Sequence, residues 1–152
     1  MLVCATEDCY QRIGGGGSRG IAVLNRAVLL SPRGTTPEIA AHELTHVELA
    51  ARLGRAGEVP QWFDEGVAVL VSEDPRYLRP AGTADRCLTE TTGPLPETLQ
   101  EWLTAADADP GVYAAAACRV HRWVEANGGH DAVRDLTGRL AAGERFGDIV
   151  PG

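Results

Sequence analysis

The pattern of apolar positions changes from strand-like near the start of the chain to helical over the remainder. Residues 20–31 are rich in Val, Ile and Leu, and they predict a strand, or a hairpin that turns near Asn25–Arg26. The segments that follow have helical periodicity, first at 37–53 and then at 60–72. A little β-structure followed by mostly helix predicts one α+β domain over residues 1–152.

Capping residues define the first of these helices. Thr36 is a good N-cap, Pro37 suits the first helical position, and Gly54 is a C-terminal stop. Pro60 opens the second helix, and the small residues Gly66 and Ala68 allow it to pack closely against a neighbour. Three further helices are predicted within 96–108, 110–127 and 130–143, and a last turn within 144–152.

Two stretches of the chain predict irregular structure. Residues 10–20 form a glycine-rich loop without the phosphate-loop pattern, for which a mobile surface loop is the expectation. The whole segment 1–19 is expected to be either flexible or tied by a disulfide. Residues 73–95 are rich in Pro, Gly, Thr and charge, and also predict irregular structure.

Composition and charge exclude several classes of protein. The net charge of −7 argues against nucleic-acid binding, which needs a basic face. No run reaches the ~18 apolar residues of a membrane span. The N-terminus does not resemble a signal peptide, and we expect that any targeting segment has been removed.

The four cysteines leave two alternatives open. They fit two disulfides, of which Cys4–Cys9 would close a short loop, or four thiols. They favour an extracytoplasmic over a cytoplasmic location.

The predicted helix 37–53 carries the pattern H-E-x-x-H as His42, Glu43 and His46. Residues four apart lie on one helical face, so both imidazoles can reach one metal ion. Glu43 lies about 100° round the helix, beside the ion rather than on it, where it can act as a base on bound water. The pattern predicts a zinc site with a general base.

A third protein ligand is needed, and two acidic residues on the next helix qualify. Glu65 follows His46 after 18 intervening residues, which allows a loop and a returning helix, and Asp64 is the alternative. The metzincin pattern is excluded, because Leu49 and Arg52 replace its Gly and third His and the only Met is Met1.

HELTH followed by the Glu of WFDEGVA resembles the gluzincin metallopeptidases, in the W-x-x-E-G-x-A form of aminopeptidase-like members and compact minigluzincins. The likeness covers residues 20 to about 146, and only the two ligand motifs are specific. It implies a zincin-like (thermolysin-like) catalytic domain with a small N-terminal sheet. By this resemblance, His42, His46 and Glu65 bind Zn²⁺, and Glu43 is the general base of a peptidase, expected to be an endopeptidase.

The same resemblance implies how a peptide would bind. An edge strand within Ile21–Ser31 would hold a peptide or protein substrate by main-chain hydrogen bonds. A Tyr or His on a later helix would steady the oxyanion. Tyr113 is the first candidate, with a core role as the alternative, and His121 and His130 follow it.

The sequence also departs from the family pattern. Val69 stands where thermolysin-like enzymes have an Asp that supports a ligand His, and the G-x-M-E-N motif of the aminopeptidases is absent. The alternative hypothesis is a non-catalytic or latent zincin-like binding or scaffold domain that keeps the zinc site.

Overall fold

The computed structural model describes residues 1–54, 58–90 and 93–151, and His130 without its side chain. The connection between the first two predicted helices and the predicted irregular segment 73–95 lie partly outside these residues. The fold is α+β, with a small sheet followed by a mostly helical part. In the described residues the strands are β1 (Leu2–Val3), β2 (Gly20–Val23) and β3 (Ala27–Leu30). The helices are α1 (Glu7–Arg12), α2 (Pro37–Leu53), α3 (Gln61–Ser72), α4 (Leu99–Ala108), α5 (Gly111–Ala126), α6 (Ala132–Ala141) and α7 (Phe146–Ile149).

The sheet has the strand order β1-β3-β2, so β2 is an edge strand and β3 is central. Strands β2 and β3 form the predicted antiparallel hairpin, with Ile21 paired with Leu29. Its turn places Leu24 and Asn25 at φ of 49° and 51°. Buried and exposed residues do not alternate along β3, because both faces of this strand are covered. Val28, Leu29 and Leu30 are all buried.

The N-terminal segment contains two elements that the sequence did not predict, β1 and α1. A disulfide joins Cys4 to Cys9, and Tyr10 is fully buried. The glycine-rich loop folds back over the Tyr10 ring, whose hydroxyl lies 2.9 Å from Oγ of Ser18. Gly15 is required there, since a Cβ would lie 2.4 Å from ring atoms of Tyr10.

Helix α2 begins and ends as its capping signals predict. Thr36 accepts a hydrogen bond from the Ile39 backbone N–H, and Gly54 follows the last residue. Helices α2 and α5 both pack against α3. The apolar core lies between these helices and α6, and it includes Leu49, Trp62, Phe63, Trp102, Val120 and Leu136.

Gly66 allows α3 and α5 to approach closely, as its small size predicted. A Cβ at this position would lie 2.6 Å from Cγ2 of Val120 and 2.7 Å from the carbonyl oxygen of Ala116. We expect Gly66→Ala to lower the free energy of unfolding by about 1–3 kcal/mol, because a backbone carbonyl cannot move aside cheaply. Urea unfolding followed by circular dichroism measures this loss.

Gly138 on α6 is the matched control, since a methyl group added there would meet no atom within 4 Å. Gly138→Ala is expected to leave stability unchanged or to raise it by about 0.5–1 kcal/mol. If Gly66→Ala were as stable as Gly138→Ala, close packing of α3 against α5 would not constrain the fold.

A second disulfide, Cys87–Cys118, attaches the irregular segment after α3 to the buried face of α5. Within that segment Leu78 is buried and forms an isolated bridge with Cys87. This attachment fixes Tyr77 against Tyr113, with ring centroids 5.0 Å apart. Residues distant in sequence are thereby placed beside the predicted active-site helix.

Candidate metal centre

Helices α2 and α3 bring His42, His46 and Glu65 together as one group that could hold a metal ion. Oε2 of Glu65 lies 3.3 Å from Nε2 of His42 and 3.8 Å from Nε2 of His46. The three ligand atoms all lie within 4.8 Å of one another. Metal–ligand bonds of about 2.1 Å at tetrahedral angles separate ligand atoms by about 3.4 Å, so the spacing fits one ion.

The burial and hydrogen bonding of the Glu65 carboxylate also suit a metal ligand. Its side chain is buried, and Oε2 has no hydrogen-bond partner among the described residues. The other oxygen, Oε1, accepts a hydrogen bond of 3.2 Å from Nε2 of Gln61. A buried carboxylate oxygen without a partner is costly, and coordination of a cation would remove that cost.

The surrounding charges favour the ionised form of Glu65. Burial raises the pKa of Glu65, but the His42 and His46 imidazoles and Gln61 outweigh it, so the pKa is lowered overall. The carboxylate is the form that binds a metal. Two imidazoles and a carboxylate are a donor set that zinc prefers.

Asp64, the alternative third ligand, has a different position. Oδ1 of Asp64 lies 2.9 Å from Nδ1 of His46, and since a carboxylate only accepts, the imidazole donates. Asp64 therefore binds the Nδ1 side of the His46 ring and leaves Nε2 facing Glu65. This is the supporting contact that Val69 could not provide. Burial lowers the pKa of His46, but Asp64, Glu65 and Glu43 raise it to about 9, so a metal ion that binds Nε2 must displace a proton.

Replacement of Asp64 by Asn is expected to lower the affinity of this group for a divalent metal ion by about 10–100-fold, because the imidazole loses its anionic partner. Competition with a chelating dye measures the affinity, and circular dichroism checks the fold. Asp107→Asn removes an equal charge from the exposed face of α4 and should leave affinity unchanged. Equal affinity of the two variants would show that Asp64 does not support His46.

Glu43 lies beside the three grouped residues and against the edge strand. Burial raises the pKa of Glu43; His42, His46 and a backbone hydrogen bond from Ala22 lower it in part, and Glu65 raises it further. The net result is a raised pKa, which makes the carboxylate a better proton acceptor than one in water. Gly20 lies so close that a Cβ there would be 2.8 Å from Cγ of Glu43.

Tyr113 lies next to His42, with ring centroids 6.4 Å apart. Its ring is held between Tyr77, which stacks on it, and Trp102, which contacts it edge-on at 5.0 Å. Burial, and then Glu65, raise the pKa of Tyr113 to about 12, so its hydroxyl is a donor at neutral pH. Tyr113, His42 and Glu43 line the same open cavity of about 310 Å³.

Of the other two candidates for the role of Tyr113, His121 does not line this cavity. His121 is buried and lines a separate cavity of about 580 Å³, together with Arg86 and Val124. The side chain of His130 lies outside the described residues.

Sequence reasoning missed three residues at this site: Gln61, Arg76 and Tyr77. The Gln61 contact follows from its i,i+4 spacing to Glu65 on α3, a signal that was available. Arg76 and Tyr77 line the cavity from the segment tied by the second disulfide. No local pattern in the sequence indicates that placement.

Comparisons of the chain with models of protein families, with curated proteins and with solved structures give no match. The site is therefore interpreted from its own geometry.

Proposed function

We propose that the chain is a zinc-dependent metallopeptidase of the gluzincin type, with a zincin-like fold, acting as an endopeptidase. The observation that carries this proposal is the buried Oε2 of Glu65, which forms no hydrogen bond to a described residue and lies 3.3 Å from Nε2 of His42 and 3.8 Å from Nε2 of His46. A metal ion held there would coordinate this oxygen together with both imidazole nitrogens. Glu43, which is not part of the group, lies beside it with a raised pKa.

In this proposal His42, His46 and Glu65 hold the metal, and Asp64 and Gln61 orient two of them. A zinc ion held there would acidify water and polarise the scissile carbonyl. Three protein ligands leave a coordination position open, which is typical of catalytic rather than structural zinc. This distinction favours catalysis over the scaffold alternative.

Glu43 accepts a proton from the attacking water and then passes it to the leaving amine. Tyr113 donates a hydrogen bond to the carbonyl oxygen as that oxygen gains negative charge. Its high pKa supports this role, because the proton must remain on the phenol. Packing by Tyr77 and Trp102 fixes the ring before substrate binds.

A peptide is proposed to add to the sheet along β2, the edge strand that lies against Glu43. The predicted range Ile21–Ser31 also included β3, which is central and already paired on both sides. We therefore propose β2, Gly20–Val23, as the contact, which begins one residue before the predicted range. Main-chain hydrogen bonds to β2 would hold the peptide extended beside the base.

An extracytoplasmic location is proposed on the basis of the two disulfides, Cys4–Cys9 and Cys87–Cys118. Such bonds form and persist in oxidising compartments. Among the described helices, none has the length and apolar character required to cross a bilayer.

Gly20→Ala is expected to lower peptide hydrolysis by about 10–100-fold without loss of zinc. The added methyl group would lie 3.0 Å from Oε1 of Glu43 and 2.8 Å from its Cγ, so it displaces the base. Zinc content by elemental analysis and cleavage of a labelled peptide measure the two effects. Gly17→Ala is the control, since nothing lies within 4 Å of its methyl position. Unchanged cleavage by Gly20→Ala would contradict the placement of the base.

The proposal is tested with a reduced, carboxymethylated protein as substrate. The zinc-loaded chain should cut it into fragments, a chelator should stop the cleavage, and added zinc should restore it. A folded, zinc-loaded chain that releases no fragments would contradict the peptidase proposal and favour the binding or scaffold alternative.

A further inference from the structure

The open cavity beside the candidate metal centre has an unusual charge for this chain. The protein carries a net charge of −7. Yet among the described residues that line this cavity, the arginines Arg19, Arg33 and Arg76 outnumber the single carboxylate, Glu43. A concave surface with an excess of one sign of charge concentrates ligands of the opposite sign.

Arg76 is held rigidly at this cavity. Its Nε donates to both carboxylate oxygens of Asp74, at 2.9 and 3.0 Å, and its Nη2 donates to the same group. The guanidinium also lies over the Tyr77 ring, with its central carbon 5.0 Å from the centroid. Nη1 makes no hydrogen bond to any described residue, so a fixed donor remains for a ligand.

Arg19 has a different character, because it is exposed and forms no ion pair within the described part of the chain. It immediately precedes Gly20, the edge-strand residue that lies against Glu43. Arg33, by contrast, is paired with Glu7 at 2.9 Å. Among the three arginines of the cavity, Arg19 is therefore the one whose charge no described carboxylate neutralises. It lies next to the first residue of the proposed peptide contact.

We propose that this cavity selects peptides that carry a carboxylate within about two residues of the scissile bond, with Arg19 and Arg76 as the specificity-determining residues. This inference rests on the proposed peptidase function, whose substrate class it specifies. The overall negative charge of the protein does not oppose it at short range, because charges more than about 8 Å apart are largely screened at physiological ionic strength. The carboxylate can come from an acidic side chain or from the C-terminus of the peptide.

Binding is measured by fluorescence anisotropy with the zinc-loaded Glu43→Gln variant, so that peptides remain intact. Three amidated, labelled heptapeptides differ only in a central Glu, Gln or Lys, and a fourth has the Gln sequence with a free C-terminus. The Glu peptide should bind about fivefold more tightly than the Gln peptide, the size of an ion pair at an exposed site, and the Lys peptide more weakly. If only the free C-terminus improves binding, a terminal carboxylate is the ligand; if only the Glu peptide gains, it is a side chain.

Arg19→Gln should remove most of this difference, whereas Arg26→Gln, an equal loss of charge in the exposed hairpin turn, should preserve it. Arg19 is the main test because Arg76→Gln also removes the partner of the buried Asp74. Equal binding of all four peptides, or a preference that survives Arg19→Gln, would overturn the inference. Cleavage of the same peptides by the native chain is scored separately. Cleavage without preference would contradict only the carboxylate selectivity. Selective binding without cleavage would support a carboxylate-binding cavity and contradict the peptidase proposal.

Discussion

The Glu43→Gln variant is expected to bind one zinc ion and to cleave peptides about a thousandfold more slowly than the native chain. The amide keeps the size of the side chain and removes its ability to accept a proton. Glu43 is not a member of the metal-binding group, so His42, His46 and Glu65 remain available to the ion. Elemental analysis measures the metal, and the initial rate of cleavage of a labelled peptide measures the activity.

Glu48→Gln is the matched control for this result. Glu48 lies on the same helix, exposed and paired with Arg52, so its replacement removes one carboxylate from α2 outside the metal-binding group. This control should retain both zinc and activity. Cleavage by Glu43→Gln at the native rate would show that another group accepts the proton, and loss of zinc from this variant would show that Glu43 is a ligand.

Glu65→Gln is expected to lower zinc affinity by more than about 100-fold. This loss exceeds the usual effect of changing a residue that hydrogen-bonds to a metal ligand without binding the metal itself. Peptide cleavage should fall with metal occupancy. The substitution keeps the volume of the buried side chain but leaves a neutral amide where a carboxylate faces two imidazoles. Affinity is measured by competition with a chelating dye and occupancy by elemental analysis.

Glu125→Gln, an exposed carboxylate on α5, is the control and should bind zinc as the native chain does. The comparison with Asp64→Asn decides between the two acidic residues of α3. If Glu65→Gln retained native affinity while Asp64→Asn lost zinc altogether, Asp64 would be the third ligand and the assignment of Glu65 would be wrong.

Local signals were sufficient to predict α2 and the shared face of its two histidines. Thr36, Pro37 and Gly54 determine the ends of the helix through contacts within a few residues, and the structure has the same bounds. The four-residue spacing of His42 and His46 places both on one face whatever the rest of the fold does. The spacing also predicted an acidic third member of the group from the next helix, because an 18-residue separation allows a loop and a returning helix.

The remaining features depend on contacts that sequence patterns do not encode. Asp64 and Glu65 are neighbours, and only the rotation of α3 against α2 decides which one faces the two imidazoles and which one holds Nδ1 of His46. Arg76 and Tyr77 line the cavity because the Cys87–Cys118 disulfide attaches their segment to α5. The two cysteines are 31 residues apart in the sequence. Strand β1, Leu2–Val3, is too short to produce a recognisable alternation.

The most direct test of the account is a titration of the metal-free chain with zinc, in which bound metal and peptide cleavage are followed together. Both should rise in parallel and level off at one zinc ion per chain, and the Glu65→Gln variant should show neither rise over the same range. One zinc ion bound at His42, His46 and Glu65 of the native chain with no cleavage of any peptide would contradict the account.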